Sequence, residues 1–290
     1  APAGCAAALA PRLGWIRAPV RLFEFDLAAG RLELFQPPDL AADLYCWPER
    51  HAHSDALLAR VEALAPGLVR RCPRPGGYDS LRVRGLEFGR YFWNEKKLVY
   101  GVTTATVLRR RGWPRLRELV EELCRVRAWP GDPNHPYYRH YQERWLESLV
   151  LENVAALDDQ LDSRFAYSQV PTYVGGDQAW IDVLTCTRRG RLAIIELKCR
   201  SDLDLPLQGL HYWSRVWRHL LEGSFERRGY FRGVRLRRQP PLLYLVTPLF
   251  QIHPGTRLLV PFVSGEIEIV VVGINADWKK GIRVLRRTRM

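Results

Sequence analysis

The alternation of apolar and polar positions divides the chain into two stretches. Residues 1–14 read as a frayed leader. Residues 21–26 and 31–35 alternate as two short strands around Ala29-Gly30. Residues 40–65 are broadly helical, with Leu57, Val61 and Leu64 on one face and Ala65-Pro66-Gly67 as the stop. After Gly76-Gly77, residues 81–92 and 97–103 alternate as strands joined by Asn94-Glu95-Lys96. Residues 115–125 make a short amphipathic helix through Leu116, Leu119, Val120 and Leu123. The run Trp129-Pro130-Gly131-Asp132-Pro133-Asn134 then interrupts every period, which predicts a linker at 129–135.

Beyond it, Tyr138, Tyr141, Trp145, Leu149 and Val154 predict one long helix over 136–157. Three strands follow at 164–174, 178–187 and 191–199, parted by Gly175-Gly176 and Arg188-Arg189-Gly190. A helix over 206–222, apolar strands over 242–246 and 267–272, and a final helix over 276–285 complete the pattern. The expected organisation is therefore a leader, a small α+β domain over 15–128, the linker, and an α/β domain over 136–290.

Composition narrows the functional classes. With 290 residues, 47% of them hydrophobic, the chain is long enough for one large or two modest folded domains. No apolar run approaches the roughly 18 residues a membrane helix needs, and the Ala-rich start lacks a basic head and apolar core. A cytosolic protein with no membrane partner is expected. The six cysteines form no CxxC pair, as fits reduced, buried thiols. The formal charge is +13, and all but five of the 44 basic residues are Arg, whose planar fork matches phosphate. A GC-rich genome also inflates Arg, so composition alone does not decide for a polyanion. The surplus gathers locally, with eight Arg between Arg215 and Arg238 and four more from Arg283 to Arg289. Arg235, Arg237, Arg238, Arg286 and Arg287 are the candidate nucleic-acid contacts.

The chemistry-bearing residues lie in otherwise core-like strands. Asp182 interrupts Trp180-Ile181-Asp182-Val183-Leu184, and Glu196 interrupts Ala193-Ile194-Ile195-Glu196-Leu197-Lys198. Two apart in a strand, Glu196 and Lys198 share a face. A buried carboxylate costs several kcal/mol, on the order of 3–5, unless compensated. A Glu196–Lys198 ion pair with Asp182 capping the hairpin would explain one such motif. Three further features weigh against so plain an account. Gln208 and Tyr212 lie one turn apart on the following helix, Glu143 and Glu147 one turn apart on the preceding one, and the element order would bring them to one sheet edge.

Over residues 136–274 this set resembles the PD-(D/E)xK nuclease superfamily, in particular its RecB-like branch. The resemblance implies a restriction-endonuclease-like core of helix, three-stranded meander, helix and further strands, preceded by the small α+β domain. It also implies that Asp182, Glu196, the Leu197 carbonyl and Glu147 (Glu143 as fallback) hold Mg²⁺, with Mn²⁺ as a substitute. Lys198 would orient the attacking water, and Gln208 and Tyr212 the substrate. Ile181 stands where the eponymous Pro would be. The implied activity is Mg²⁺-dependent phosphodiester hydrolysis of nucleic acid, DNA favoured over RNA. The rivals are a non-catalytic nucleic-acid-binding or assembly subunit, and an accessory nuclease active only with protein partners in a defence or repair complex.

Other signals carry less. Cys46, His51, His53 and Cys72 fit no standard zinc spacing. His211 reads as an exposed or capping residue and His253 as a turn residue. Tyr91, Phe92 and Trp93 read as hairpin core ahead of base-stacking groups, and Trp213 and Trp217 as core. No G-x-x-x-x-G-K-[ST] is present, which excludes a P-loop ATPase.

Overall fold

The computed structural model describes residues 1–2, 5–35, 56–74, 76–174 and 177–290. Residues 40–55 of the helix expected over 40–65, the Cys46, His51 and His53 group and the Gly175-Gly176 turn lie outside the described residues. In chain order the elements are α1 (Ala6–Leu13), β1 (Phe23–Asp26), β2 (Arg31–Leu34), α2 (Ala56–Glu62), β3 (Val69–Arg74), β4 (Tyr78–Val83) and β5 (Leu86–Phe92). There follow β6 (Lys97–Tyr100), β7 (Thr106–Val107), α3 (Trp113–Val126), α4 (Pro136–Arg139), α5 (Gln142–Glu152), β8 (Leu161–Val174) and β9 (Asp177–Thr187). The last are β10 (Leu192–Leu197), α6 (Leu205–Leu221), α7 (Ser224–Arg227), β11 (Leu242–Pro248), α8 (Pro254–Leu259), β12 (Ile269–Ile274) and β13 (Val284–Arg289). The protein is mixed α/β, with three sheets among the described residues. Among the described residues no helix is long and apolar enough to cross a membrane.

Two compact units divide the chain differently from the expected linker. The first comprises residues 1–45, 153–276 and 282–290; the second comprises 46–152 and 277–281. Residues 129–135 lie inside the second unit. There Gly131 packs so closely on Tyr138 that an added Cβ would lie 2.6 Å from its ring.

The second unit is built on an antiparallel sheet, β3-β4-β5-β6-β7. The expected strand over 81–92 is two strands, because Arg84 and Gly85 take positive φ (43° and 79°) and turn the chain back. Leu81, Val83, Phe88 and Leu98 bury against Leu58 and Val61 of α2 and Leu116, Val120 and Leu123 of α3. Tyr91 is buried and Trp93 packs on this core, as the hairpin reading expects. The helix predicted over 136–157 is broken between α4 and α5, where Tyr141 adopts φ 46°. Arg127 supplies the cause. Its fully buried guanidinium donates to the carbonyls of Tyr137 (2.7 Å), His140 (2.8 Å) and Arg84 (2.8 Å), diverting the first two from helical bonding.

The first unit carries a six-stranded sheet in the order β13-β12-β11-β10-β9-β8. Strands β8, β9 and β10 form an antiparallel meander, and β11 returns parallel to β10 after α6. Strand β12 is parallel to β11 and β13 antiparallel to β12. All six residues of β10 are buried, five of them apolar and the sixth Glu196, at the centre of the sheet. The final helix expected over 276–285 is instead a 3₁₀ turn, Trp278–Lys280, followed by strand β13. Gly281 breaks the turn (φ 149°), and Asn275 binds the Arg283 backbone through both its own N–H (3.0 Å) and its side chain (2.8 Å), closing a hairpin. Within the stretch expected as a leader, residues 6–13 form helix α1. Helix α1 packs on α6, with Ala6 buried and the Trp15 ring edge-on to Trp213 at 4.7 Å.

Candidate active site

Asp182 and Glu196 reach one edge of the β9–β10 ladder, inside the sheet, because β9 and β10 pair antiparallel up to Val183↔Ile195. They are the next residues outward on each strand. Past that last pair, the Leu197 N–H no longer bonds a β9 carbonyl and donates to Asp182 Oδ2 at 3.0 Å. Glu196 is 1% exposed. Lys198 lies one residue beyond β10, its N–H still bonded to the Val246 carbonyl at 3.0 Å. Its Nζ stands 3.8 Å from Asp202 Oδ2.

Helix α6 brings the second pair. Gly209 lets it lie close over β11: an added Cβ would sit 3.0–3.1 Å from methyls of Leu243 and Leu245. On this helix Gln208 Nε2 donates to Tyr212 Oη at 3.0 Å. Burial raises the Tyr212 pKa well above the phenol range, and the charges of Glu196 and Asp182 add to the rise; the bond from Gln208 and the charge of Arg12 oppose it. Tyr212 therefore stays protonated at neutral pH. Tyr212, bonded to Gln208, thus lies within electrostatic reach of the sequence-predicted Asp182 and Glu196.

Pattern reading missed two members. Gln169, on β8 opposite Asp182, donates from Nε2 to Asp182 Oδ1 at 3.2 Å and adopts φ 54°. Its sequence signal is slight: one amide between Ser168 and Val170 in a strand of mixed polarity. Arg12, from α1, donates through Nη1 to both oxygens of Asp204 at 2.9 Å, just ahead of α6. A partner 192 positions away leaves no local trace.

Comparison of the chain with protein-family models and with curated proteins returns no match. The residues themselves therefore carry the chemistry. Among the described residues no group of three or more His, Cys, Asp or Glu side chains is disposed to hold a metal ion. The first unit offers a smaller set of hard oxygens, the Asp182 and Glu196 carboxylates with the adjacent Leu197 carbonyl. Glu147 belongs to the second unit, where it is 1% exposed and its Oε2 accepts from Arg144 Nη1 at 3.0 Å. Glu143 precedes it by a turn on α5, half-buried.

The other predicted residues sit apart from this edge. Arg235, Arg237 and Arg238 are exposed, and the Arg237 N–H donates to Gly190 at 2.8 Å. Arg287 is engaged by Asp158 at 3.0 Å, and exposed Arg286 donates to Thr288 Oγ1 at 3.3 Å. His211 is fully buried on α6, contrary to the exposed position expected of it. It lies on the packed side of an amphipathic helix, beside Leu210 and Tyr212. His253 caps α8 by accepting the Gly255 N–H at 2.9 Å, and Trp213 is core, donating to the Pro241 carbonyl at 2.8 Å.

Proposed function

We propose that this chain is a metal-dependent nuclease, hydrolysing phosphodiester bonds of nucleic acid with DNA favoured over RNA, and that its first unit is a restriction-endonuclease-like core. The observation that carries the reading is the convergence of Asp182 and Glu196 from adjacent strands, with Lys198 and the Gln208–Tyr212 pair at the same edge. The topology also supports it: an antiparallel meander, a helix, and a return strand parallel to the third. Carboxylates at the end of a buried strand cost free energy that a purely structural domain has no need to spend.

The donor set fits a hard divalent ion. It contains two carboxylates and a carbonyl, no sulfur and no imidazole, and leaves room for the waters and phosphate oxygens that Mg²⁺ retains. Asp182, Glu196 and the Leu197 carbonyl would hold Mg²⁺ or Mn²⁺. The bound ion would neutralise phosphate charge and lower the pKa of water. Asp182 is kept in one orientation by the Leu197 N–H and the Gln169 amide. Lys198 supplies positive charge where the phosphorane develops its negative charge and orients the water. Tyr212, protonated and already accepting from Gln208, presents its own O–H to a phosphate oxygen. The reading stands without Glu147.

Cleavage of labelled single- and double-stranded DNA and RNA, with Mg²⁺, Mn²⁺ or EDTA, tests it. Asp182→Ala and Glu196→Ala should each lower the rate more than about a hundredfold while nucleic acid still binds. Lys198→Ala should abolish cleavage and leave Mg²⁺ binding intact. Equal activity of wild type and Asp182→Ala, or no cleavage together with no Mg²⁺ or Mn²⁺ binding, overturns the reading in favour of a nucleic-acid-binding or assembly subunit.

A further inference from the structure

We infer that Arg12 of α1 is a substrate-binding residue of this edge, taking the non-bridging oxygens of a backbone phosphate next to the cleaved bond. The inference rests on the nuclease reading and adds to it a residue from the far N-terminal helix. Asp204, Gln208 and Tyr212 follow one another at four-residue intervals, so they line one stripe along α6. Arg12 is fastened at the head of that stripe, through Asp204.

The manner of the fastening matters. A guanidinium clipped to a carboxylate frequently uses two nitrogens in a fork, one on each oxygen. Here both Asp204 oxygens lie on Nη1. Nε is buried with no hydrogen-bond partner, a donor left unmet. Buried Nε is closed to a ligand, whereas Nη2 makes no hydrogen bond among the described residues, so Arg12 is anchored at one corner with Nη2 to spare, on a side chain 19% exposed. Helix α1 is itself held by the edge-on stacking of Trp15 on Trp213, so Arg12 does not depend on Asp204 alone for its position.

Charge gives the need. A phosphate approaching Asp182 and Glu196 meets two carboxylates, and Lys198 already stands near Asp202. A second cation on the α6 side would offset the repulsion and fix the strand for attack. The phosphate source is nucleic acid; free inorganic phosphate is the control ligand.

The test uses the full chain with Arg12→Gln, Arg12→Lys and Asp204→Asn. Affinity for a labelled single-stranded oligonucleotide is measured in EDTA across a salt series, cleavage kinetics with Mn²⁺, and melting temperature throughout. Arg12→Gln should weaken binding about tenfold, flatten the slope of log affinity on log salt by roughly 0.7 to 0.9, and raise KM more than it lowers kcat. Asp204→Asn should bind as wild type or tighter, since a negative charge is removed. If Arg12 is only a clip for α1, Arg12→Gln and Asp204→Asn will lose affinity and melting temperature together, and the inference fails. Should Arg12→Gln not fold, Arg12→Lys decides: a raised KM supports the phosphate contact, and a wild-type KM and salt slope refute it. Wild type that cleaves alongside an indistinguishable Arg12→Gln sinks the inference alone. Wild type that neither cleaves nor binds sinks the nuclease reading with it, and oligonucleotide binding matched by inorganic phosphate competition at equal concentration would show a generic anion site instead.

Discussion

Gln169 holds a backbone conformation that L-residues adopt at a cost of about 1–2 kcal/mol, in the midst of a paired strand. Such strain persists where surrounding structure enforces it, and here it aims a buried amide at Asp182 Oδ1. A hydrogen bond to a charged acceptor contributes about 1.5–3 kcal/mol, enough to set the carboxylate's orientation. Asparagine tolerates this backbone region better but is one methylene shorter. Gln169→Asn should therefore leave stability within about 1 kcal/mol of wild type, while lowering cleavage about tenfold through a misaligned Asp182. Urea denaturation and single-turnover rates check the two halves. Loss of stability with unchanged turnover would make Gln169 a packing residue. In the sequence, Asp182, Glu196 and Lys198 stood out because charge is costly in an apolar strand. Gln169 did not, since neither a positive φ nor a cross-strand partner is written in local composition.

Elements were legible where a period ended at its own punctuation. Strands β9 and β10 and helix α6 lie within two residues of their expected bounds, being bracketed by turn residues or a proline. Reading failed where a distant group intervened. The apolar period of 136–157 runs straight through a break imposed by Arg127, and the Arg-rich run of 283–289 pairs as β13 because Asn275 closes its hairpin. Strand β13 is fastened by Asp158, 3% exposed, which lies 3.0 Å from Arg287 Nη1 and accepts from Tyr244 and Gln160 at 3.1 Å. Burial pushes the Asp158 pKa up, but the Gln160 bonds, the Arg287 charge and the Tyr244 hydroxyl together hold it below the ordinary aspartate value. A carboxylate lowered in the fold binds its proton more readily once unfolded. Its stabilisation is therefore complete above about pH 4, the unfolded value, and is lost as pH falls through the folded one. Asp158→Asn should cost about 2 kcal/mol at neutral pH and flatten the loss of stability on acidification. Denaturant titrations from pH 7 to pH 3 measure both; parallel pH profiles for the two proteins would exclude Asp158 as the titrating group.

Across the whole molecule, a formal charge of +13 overstates what a polyanion would meet, because many guanidinium groups are already engaged. Arg287 stands against Asp158, Arg191 and Arg289 against Glu268, and Arg164 against Asp162. Arg235, Arg237 and Arg238 are different. All three are exposed, with no carboxylate at ion-pair distance among the described residues. Their segment is pinned to the β9–β10 turn, where the Arg237 N–H bonds the Gly190 carbonyl and a Cβ on Gly190 would meet the Arg235 carbonyl at 2.3 Å. A fixed row of cations loses less entropy on meeting phosphates than a mobile tail does. On the nuclease reading, replacing the three with Ala should weaken binding and flatten the slope of log affinity on log salt by up to roughly 0.9 per lost contact. Arg287→Ala should do the reverse, lowering the melting temperature through Asp158 and leaving the slope within error. Anisotropy titrations of a duplex between 50 and 200 mM salt, paired with thermal melts, separate the two classes. An unchanged slope in the triple variant would reduce the Arg235–Arg238 row to a solvated face, and a flattened slope in Arg287→Ala would mean that nucleic acid competes with Asp158 for its guanidinium.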